Sequence, residues 1–376
     1  MQKNTAKDTN KRKVLFLVGQ ETGLVPGQRF RFEQYLTFLE NNNIECEISP
    51  LVYKQEGKTL YSKGKYLAKL GIFKNAILRR YKDLKKIKQG QYDAVFIYRD
   101  ALMIRSIYFE KKIHKLGVPM IYDFDDSIWL NDVSDANRSF AWLKNPAKVG
   151  PIISMCSLVI AGNEYLRDYA LNFNPNVQII PTTIDTQIYQ AGRNKNGNED
   201  VVTIGWSGSI TTIKHFKTAV PVLEVIRQKF GSKVQIKVIG DGTYEHKNLE
   251  IKGKWWDAAT EIEDLSEFDI GIMPLPDDAW SKGKCGLKGL QYMALEIPTI
   301  MSPVGVNTEI IHDGENGFLA STHQEWVEKL SQLIESAHLR KKLGENGCKT
   351  VSSEYSVEAN KEKWLDAFNS VLQGYA

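Results

Sequence analysis

Residues 269–300 read DIGIMPLPDDAWSKGKCGLKGLQYMALEIPTI, and the order of residue types in this stretch decides the architecture. A short apolar run ends at Pro274, a loop of Asp, Gly and Lys follows, a helix opens near Gly286, and a second short apolar run begins at Thr299. Strand, loop, helix and strand in that order imply a right-handed crossover between parallel strands. Lys282, Lys284 and Lys288 fall around the start of the helix. The backbone dipole places about half a positive charge there, so cations are repelled unless an anion is bound. A phosphate would meet free backbone N–H groups, the dipole and the ammoniums together. The bland reading is a solvated lysine loop, against which stands the gathering of three lysines at the wrong end of a helix.

Working outward, the same alternation continues on both sides. Strands are predicted at Val201 to Trp206 and Val234 to Ile239, with helical patterns near 215–229, 257–266, 286–295 and 324–336. The first of these strands runs into VVTIGWSGSITTIKHF, residues 201–216. Gly208 permits close backbone approach to a bulky anion, and Ser209 and Thr211 offer O–H and N–H donors, making a second wall for the same phosphate site. VIGDG, residues 238–242, ends the next strand in a glycine turn at Gly240, which serves either as an ordinary strand-to-helix turn or as a place for a nucleobase to pass.

Upstream of the polar stretch QAGRNKNGNED, residues 190–200, lies another α/β series. Its strands are predicted at Val14 to Val18, Glu45 to Ile48, Ala94 to Tyr98, Met120 to Tyr122 and Leu158 to Ala161, with Ile179 to Pro181 closing the half and a first helix reaching about Leu39. Two doubly wound series put a ligand at the carboxyl ends of their strands, where the two crevices face each other. The loop GQETGLVPGQRFRF, residues 19–32, brings Gly27 and Arg29 to that edge but lacks the GxGxxG spacing of a nicotinamide dinucleotide site. YDFDDSIW, residues 122–129, brings Asp123, Asp125 and Asp126 there. Such a cluster is equipped to bind sugar hydroxyls, to bind a metal or to cap the next helix, and no matching carboxylate or histidine set elsewhere favours the metal. Asp125 and Asp126 are the candidate substrate ligands.

A chain of 376 residues is long enough for two cores, and its 42% hydrophobic and 25% charged residues exclude disordered and fibrous classes. Four cysteines, Cys46, Cys156, Cys285 and Cys348, stand far apart, which argues against a zinc site or disulfide framework. No apolar run reaches the ~20 residues of a membrane span, and the polar start MQKNTAKDTNKRK lacks a secretory core, so a cytoplasmic protein is expected. Net charge is +4, yet Lys54 to Lys88 holds twelve Lys or Arg against Glu56 and Asp83, a local +10 that leaves −6 for the rest. Aromatic and aliphatic residues lie among those lysines, in the manner either of a solvated pair of basic helices or of a surface resting on anionic lipid. A peripheral place on the inner face of the cell membrane is the expectation from the second reading.

GLKGLQYMALEIPTI, followed by SPVGVNTEIIHDGENGFLA with Glu309, resembles the signature helix, strand and glycine turn of glycosyltransferase family 4. RKKLGENGCKTV and EYSVEANKEKW resemble that family's closing helices, and IIPTTIDTQIY the segment before its linker. The resemblance implies the B fold, an α/β architecture of two Rossmann-like doubly wound domains facing a central cleft. Residues 1–190 would form the acceptor side and 191–355 the nucleotide-sugar side. Residues 356–376 would form a helix returning to the first domain. It also implies a retaining hexosyltransferase that needs no metal or other cofactor and uses a UDP- or GDP-sugar donor and a glycan or lipid-linked acceptor. Members carry two glutamates around the signature helix where this chain has Gly283 and Gln291, and an Arg and a Lys where it has GWSGSITT. The GWSGS and GKC-x-x-K patterns are similar to a branch associated with bacterial surface polysaccharides.

On this reading Lys284, Cys285, Gly286, Leu287, Lys288 and Gln291 hold the donor with Gly208, Ser209, Thr211, Gly240, Gly27 and Arg29. Asp125, Asp126 and Lys284 are the catalytic candidates. Charge developing on the β-phosphate is stabilised by lysines and dipoles, and the leaving phosphate takes the acceptor proton in a same-face attack. Two alternatives stay open: a sugar-nucleotide epimerase of the same fold, and a nucleic-acid-binding protein using the basic segment. Against the second stand the near-neutral whole chain and the absence of a nucleic-acid motif, so nucleic acid is not an expected partner.

Overall fold

The computed structural model describes residues 11–60, 64, 66–130, 145–192 and 201–374. In the first half the order is β1 (Arg12–Gln20), α1 (Pro26–Arg31), α2 (Leu36–Asn41), β2 (Ile44–Val52), α3 (Lys54–Leu60), α4 (Tyr66–Lys88), β3 (Ala94–Tyr98), α5 (Tyr108–Lys115), β4 (Met120–Phe124), α6 (Val149–Ile153), β5 (Leu158–Ala161), α7 (Glu164–Leu171) and β6 (Val177–Ile179). The six strands form one parallel sheet in the order β2-β1-β3-β4-β5-β6. Apolar runs such as VLFLV and AVFIY are covered on both faces, as a parallel sheet between helices requires.

The second half runs β7 (Val202–Ser207), α8 (Ile213–Phe230), β8 (Val234–Ile239), β9 (Glu245–His246), β10 (Ile251–Lys252), α9 (Glu261–Ser266), β11 (Ile270–Met273), α10 (Ala279–Lys282), α11 (Leu287–Ala294), β12 (Thr299–Met301), α12 (Asn307–Ile310), β13 (Phe318–Leu319), α13 (His323–Glu335), α14 (Ala337–Glu354) and α15 (Val357–Gln373). Its parallel sheet is ordered β13-β12-β11-β7-β8, and β9 and β10 form a separate antiparallel pair. Strand order reverses around β1 in the first sheet and around β7 in the second, so the ligand crevices lie at the carboxyl ends of those strands.

Three local expectations shift. The first helix is interrupted at residues 33–35 by a tighter turn, with Phe32 and Tyr35 buried in the core. The strand expected at Glu45 to Ile48 continues to Val52, because Pro50 and Val52 stay in register with Val18 and Gln20. The closing strand of the half sits two residues earlier than Ile179 to Pro181. The polar stretch expected as a linker falls mostly on residues 193–200, and a helix capped by the aspartate cluster would fall on 131–144; both lie outside the described residues.

α15 does not pack on its own half. Trp364, Ala367, Phe368, Val371 and Leu372 join the cluster of Phe16, Phe32 and Phe96 on one face of the first sheet. Phe368 stacks on Phe16 at 5.7 Å and Trp364 on Tyr35 at 5.2 Å between ring centroids. Full burial of such side chains stabilises by roughly 1.5–3 kcal/mol each. The chain leaving the first half and the chain returning to it run side by side: Ile184 donates to the carbonyl of Tyr355 at 2.8 Å and accepts from Val357 at 3.0 Å. Ser356 caps the returning helix by accepting from Ala359. Among the described residues no helix is long and apolar enough to cross a membrane.

Candidate functional site

The carboxyl edges of the two sheets meet. At the end of β3, Arg99 takes a φ of 61°, in the left-handed region that costs a side-chain-bearing residue about 1–2 kcal/mol. The turn is held by the Tyr122 hydroxyl, which donates to the Arg99 carbonyl at 2.6 Å. Arg99 Nε lies 2.8 Å from Asp125 Oδ1, and Nη2 lies 2.6 Å from that atom and 2.7 Å from Asp126 Oδ2. Asp125 also accepts from the Tyr98 hydroxyl at 2.9 Å. Asp123 is separate: it is wholly buried and holds the guanidinium of Arg31 from both oxygens.

Lys284 reaches across from the second half, its Nζ 2.7 Å from Asp126 Oδ1. Burial alone would raise the carboxyl of Asp126, but Lys284 and Arg99 together hold it below the usual carboxylate range. The loop that carries Lys284 is wedged between the halves. A Cβ on Gly283 would lie 2.0 Å from Ser127 Oγ, and one on Gly162 would lie 2.4 Å from Cys285 Sγ. Within the first half, a Cβ on Gly27 would lie 2.3 Å from the Tyr98 hydroxyl. Asn163 Nδ2 donates to the Lys284 carbonyl at 3.0 Å, and Cys285 Sγ sits 3.3 Å from the Asp125 carbonyl. Burial and the nearby aspartates push the Cys285 thiol up, so it packs as a neutral group.

Gly286, with a φ of 70°, turns the chain into α11, whose first two residues are Leu287 and Lys288. Lys282 is drawn off to Asp277 at 3.2 Å. Lys288 differs from both neighbours: no carboxylate among the described residues pairs with it, and its Nζ lies 5.8 Å from the centroid of the buried Trp206 ring. Desolvation and the charge of Lys284 bring its pKa down to about 8. His215, in the first turn of α8, is 3% exposed and its Nδ1 has no partner. Burial and the nearby Lys288, Lys284 and Lys214 bring its pKa down to about 4, with Asp278 opposing. A wall that holds Lys288 as a desolvated ammonium beside an unpartnered ring nitrogen of His215 is a place prepared for an anion.

Beside this wall stand two touching turns. A Cβ on Gly240, whose φ is 118°, would fall 2.2 Å from the Gly208 carbonyl oxygen and 3.0 Å from Ser209 N. Ser209, Thr211 and Thr212 bind one another ahead of α8, with Ser209 N–H donating to the Thr212 hydroxyl at 2.9 Å. Behind Gly240 the segment before Trp255 extends the strand edge, Gly240 N–H donating to the Lys254 carbonyl at 2.7 Å. Trp255 is 55% exposed. A Cβ on Gly242 would be 2.5–2.6 Å from three consecutive atoms of its five-membered ring, which places the glycine flat against one face of the indole.

Gln291 and Arg29, named together from the sequence, do meet, on a carboxylate that sequence reasoning missed. Glu261 accepts from Gln291 Nε2 at 3.1 Å, Trp256 Nε1 at 2.8 Å and the Tyr189 hydroxyl at 2.7 Å, and pairs with Arg29 at 2.8 Å. Gln291 is 4% exposed. Arg99, His215, Trp255 and Glu261 were all missed; an arginine directly after the run AVFIY was the one clear signal among them. Among the described residues no cluster of three or more His, Cys, Asp or Glu could hold a metal ion.

Two facing Rossmann-like halves with a cationic site between them define the B fold of glycosyltransferases. Residues 201–336 match the family model of glycosyl transferases group 1. A glycosyltransferase of Rickettsia africae has the same fold, with a TM-score of 0.65 at 15% identity over 97% of this chain and 99% of its own. So does the HepE protein of Anabaena solved in complex with UDP-glucose, with a TM-score of 0.64 at 13% identity over 95% and 99%. The poly(ribitol-phosphate) alpha-N-acetylglucosaminyltransferase of Staphylococcus aureus is 24% identical over 182 residues, 44% of this chain and 35% of that protein. The uncharacterized glycosyltransferase MJ1178 of Methanocaldococcus jannaschii is 41% identical over 134 residues, 32% of this chain and 36% of its own. The chain thus matches about half or less of the length of these curated relatives.

Proposed function

We propose that the chain is a retaining glycosyltransferase that binds the diphosphate of a nucleotide-sugar between the starts of α8 and α11. The observation that carries this reading is Lys288, a desolvated ammonium at a helix N-terminus with no carboxylate partner among the described residues, beside the unpartnered ring nitrogen of His215. An incoming diphosphate supplies the missing charge, and Lys284 is near enough to exchange Asp126 for it. The touching turns at Gly208 and Gly240 lead from that site to the exposed Trp255, on which the base stacks. The solved UDP-glucose complex of a protein with this fold supports a UDP-sugar as the first donor to test, ahead of a GDP-sugar.

Departure of the nucleoside diphosphate builds charge on the β-phosphate, which Lys288, Lys284 and the two helix starts stabilise as it forms. The leaving phosphate accepts the acceptor proton on the same face of the sugar. Asp125 and Asp126 orient sugar or acceptor hydroxyls through the oxygen positions that Arg99 fixes. Their charge is already matched by Arg99 and Lys284, which supports turnover without a metal.

Residues 1–190 serve the acceptor and 191–355 the donor, with 356–376 returning to the first half. The acceptor is a glycan or a lipid-linked sugar at the inner face of the cell membrane. A donor screen that reads slow hydrolysis of UDP- and GDP-sugars, with and without chelator, tests the reading. Hydrolysis of one donor that persists in EDTA supports it, and inertness toward every donor overturns it.

A further inference from the structure

We propose that the first turn of α4 inserts into an anionic bilayer and seats the molecule with its cleft beside the lipid surface. Tyr66, Leu67 and Leu70 on that turn are 74%, 86% and 63% exposed. Single exposed leucines are ordinary on a protein surface, but three large apolar side chains within five residues, each more than half exposed, form a docking patch. Phe73, one turn further, is exposed as well.

The far part of the helix is fastened, and the fastening shows where the turn points. Lys86 pairs with Glu47, Arg80 donates to the Ser49 carbonyl, and Arg79 donates to the Leu51 carbonyl. Helix numbers fall as strand numbers rise, so α4 runs antiparallel to β2, and residues before Arg79 lie past the carboxyl end of that strand. Arg80 also binds the carbonyls of Val18 and Ala101, near the carboxyl ends of β1 and β3. At ~1.5 Å per residue, Tyr66 stands about 20 Å beyond that edge, the edge that faces the second half.

Charge selects the lipid. Lys74, Lys82, Lys85 and Lys88 are exposed on α4 and have no acidic partner among the described residues. Arg79, Arg80 and Lys86 are consumed by Glu56, Asp83 and Glu47. The outward field is therefore smaller than the sequence count of +10, and the apolar turn supplies the anchoring that the lysines alone do not. This deepens the lipid-linked acceptor reading and rests on it for its purpose, while vesicle binding is measured without donor turnover, so either can fail alone.

The test sediments the full chain with vesicles of phosphatidylglycerol and phosphatidylcholine, and with phosphatidylcholine alone. Binding is expected on the anionic vesicles, reduced by salt but not abolished. The variant Leu67→Ser/Leu70→Ser is expected to lose about tenfold in partitioning with an unchanged melting temperature, since both residues are exposed. Lys82→Gln/Lys85→Gln/Lys88→Gln is expected to lose the preference for anionic lipid and keep the residual binding. Wild-type partitioning by the leucine variant overturns the proposal. So does failure of the unaltered chain to bind either vesicle, which would make the apolar turn a protein-docking site.

Discussion

Lys284 Nζ and Asp126 Oδ1 lie 2.7 Å apart although their loops belong to different sheets. The pair closes the cleft with a charge that, on the proposed reading, a diphosphate replaces. Asp126→Asn should lower stability by about 2–4 kcal/mol, because Arg99 and Lys284 then share less negative charge in a largely buried place. UDP should restore more of the melting temperature to this variant than to the unaltered chain. Scanning fluorimetry with and without UDP reads both; a smaller UDP shift in the variant would remove Lys284 from the phosphate site.

If Lys288 holds the donor as proposed, donor binding is pH-dependent. With a free pKa of about 8 and a higher one once an anion is bound, UDP affinity should be level below pH 8 and fall about tenfold per unit above it. Lys288→Arg should bind with no such fall, since a guanidinium stays charged. The same lowering means that a protonated Lys288 burdens the folded state at pH values under 8, a burden lost as pH rises from 8 toward the ordinary lysine value. Lys288→Met should therefore melt higher at neutral pH, by about 1–2 kcal/mol after discounting for partial exposure, while losing UDP. Calorimetric titration across pH distinguishes these variants.

Gly242 backs the exposed Trp255 indole, which on the proposed reading stacks on the base. Trp255→Ala should weaken UDP by about 1–3 kcal/mol, and Trp255→Phe by less, since a ring remains to stack. Pyrophosphate should bind all three alike. Equal losses for UDP and pyrophosphate would instead mean that the substitution disturbs the Gly240 turn.

Gln291 stands where the resembling family has a glutamate, so Gln291→Glu looks like a restoration. The structure argues the reverse, because the new carboxylate would face Glu261 in a buried cluster. One of the two acids would be pushed above its unfolded pKa, so the variant should melt lower at neutral pH, by about 1–3 kcal/mol, and recover as pH falls through that raised value. A pH series of melting curves measures it; a variant as stable as the parent at pH 7 contradicts the cluster.

Most of the fold was legible because its strands are buried on both faces. VLFLV, AVFIY and LVIA announce themselves as short apolar runs between turn residues, and the helices between them carry a clear period. β13, β9 and β10 were not legible, since two residues carry no period at all. In the site, the lysines at the start of α11 could be read because a helix dipole gives their position meaning. Glu261 and His215 could not, because their environment is made by residues far away in the chain: Arg29 and Tyr189 for the one, Lys284 and Lys288 for the other. The aspartates of YDFDDSIW were legible as a group, but their division into a structural Asp123 and a cleft pair was set by where Arg31 and Arg99 stand in space.

The return of α15 to the first sheet also dictates how the molecule can be taken apart. A fragment cut in the stretch between the halves would leave Phe16, Phe96 and Tyr35 without Trp364 and Phe368, and such a fragment should aggregate. Residues 11–192 fused to 357–373 form the unit that carries its own core. A chimera that exchanges only residues 201–354 leaves that unit whole, and what it must rebuild is confined to the contacts that cross between the halves, Lys284 with Asp126 and Glu261 with Arg29 among them.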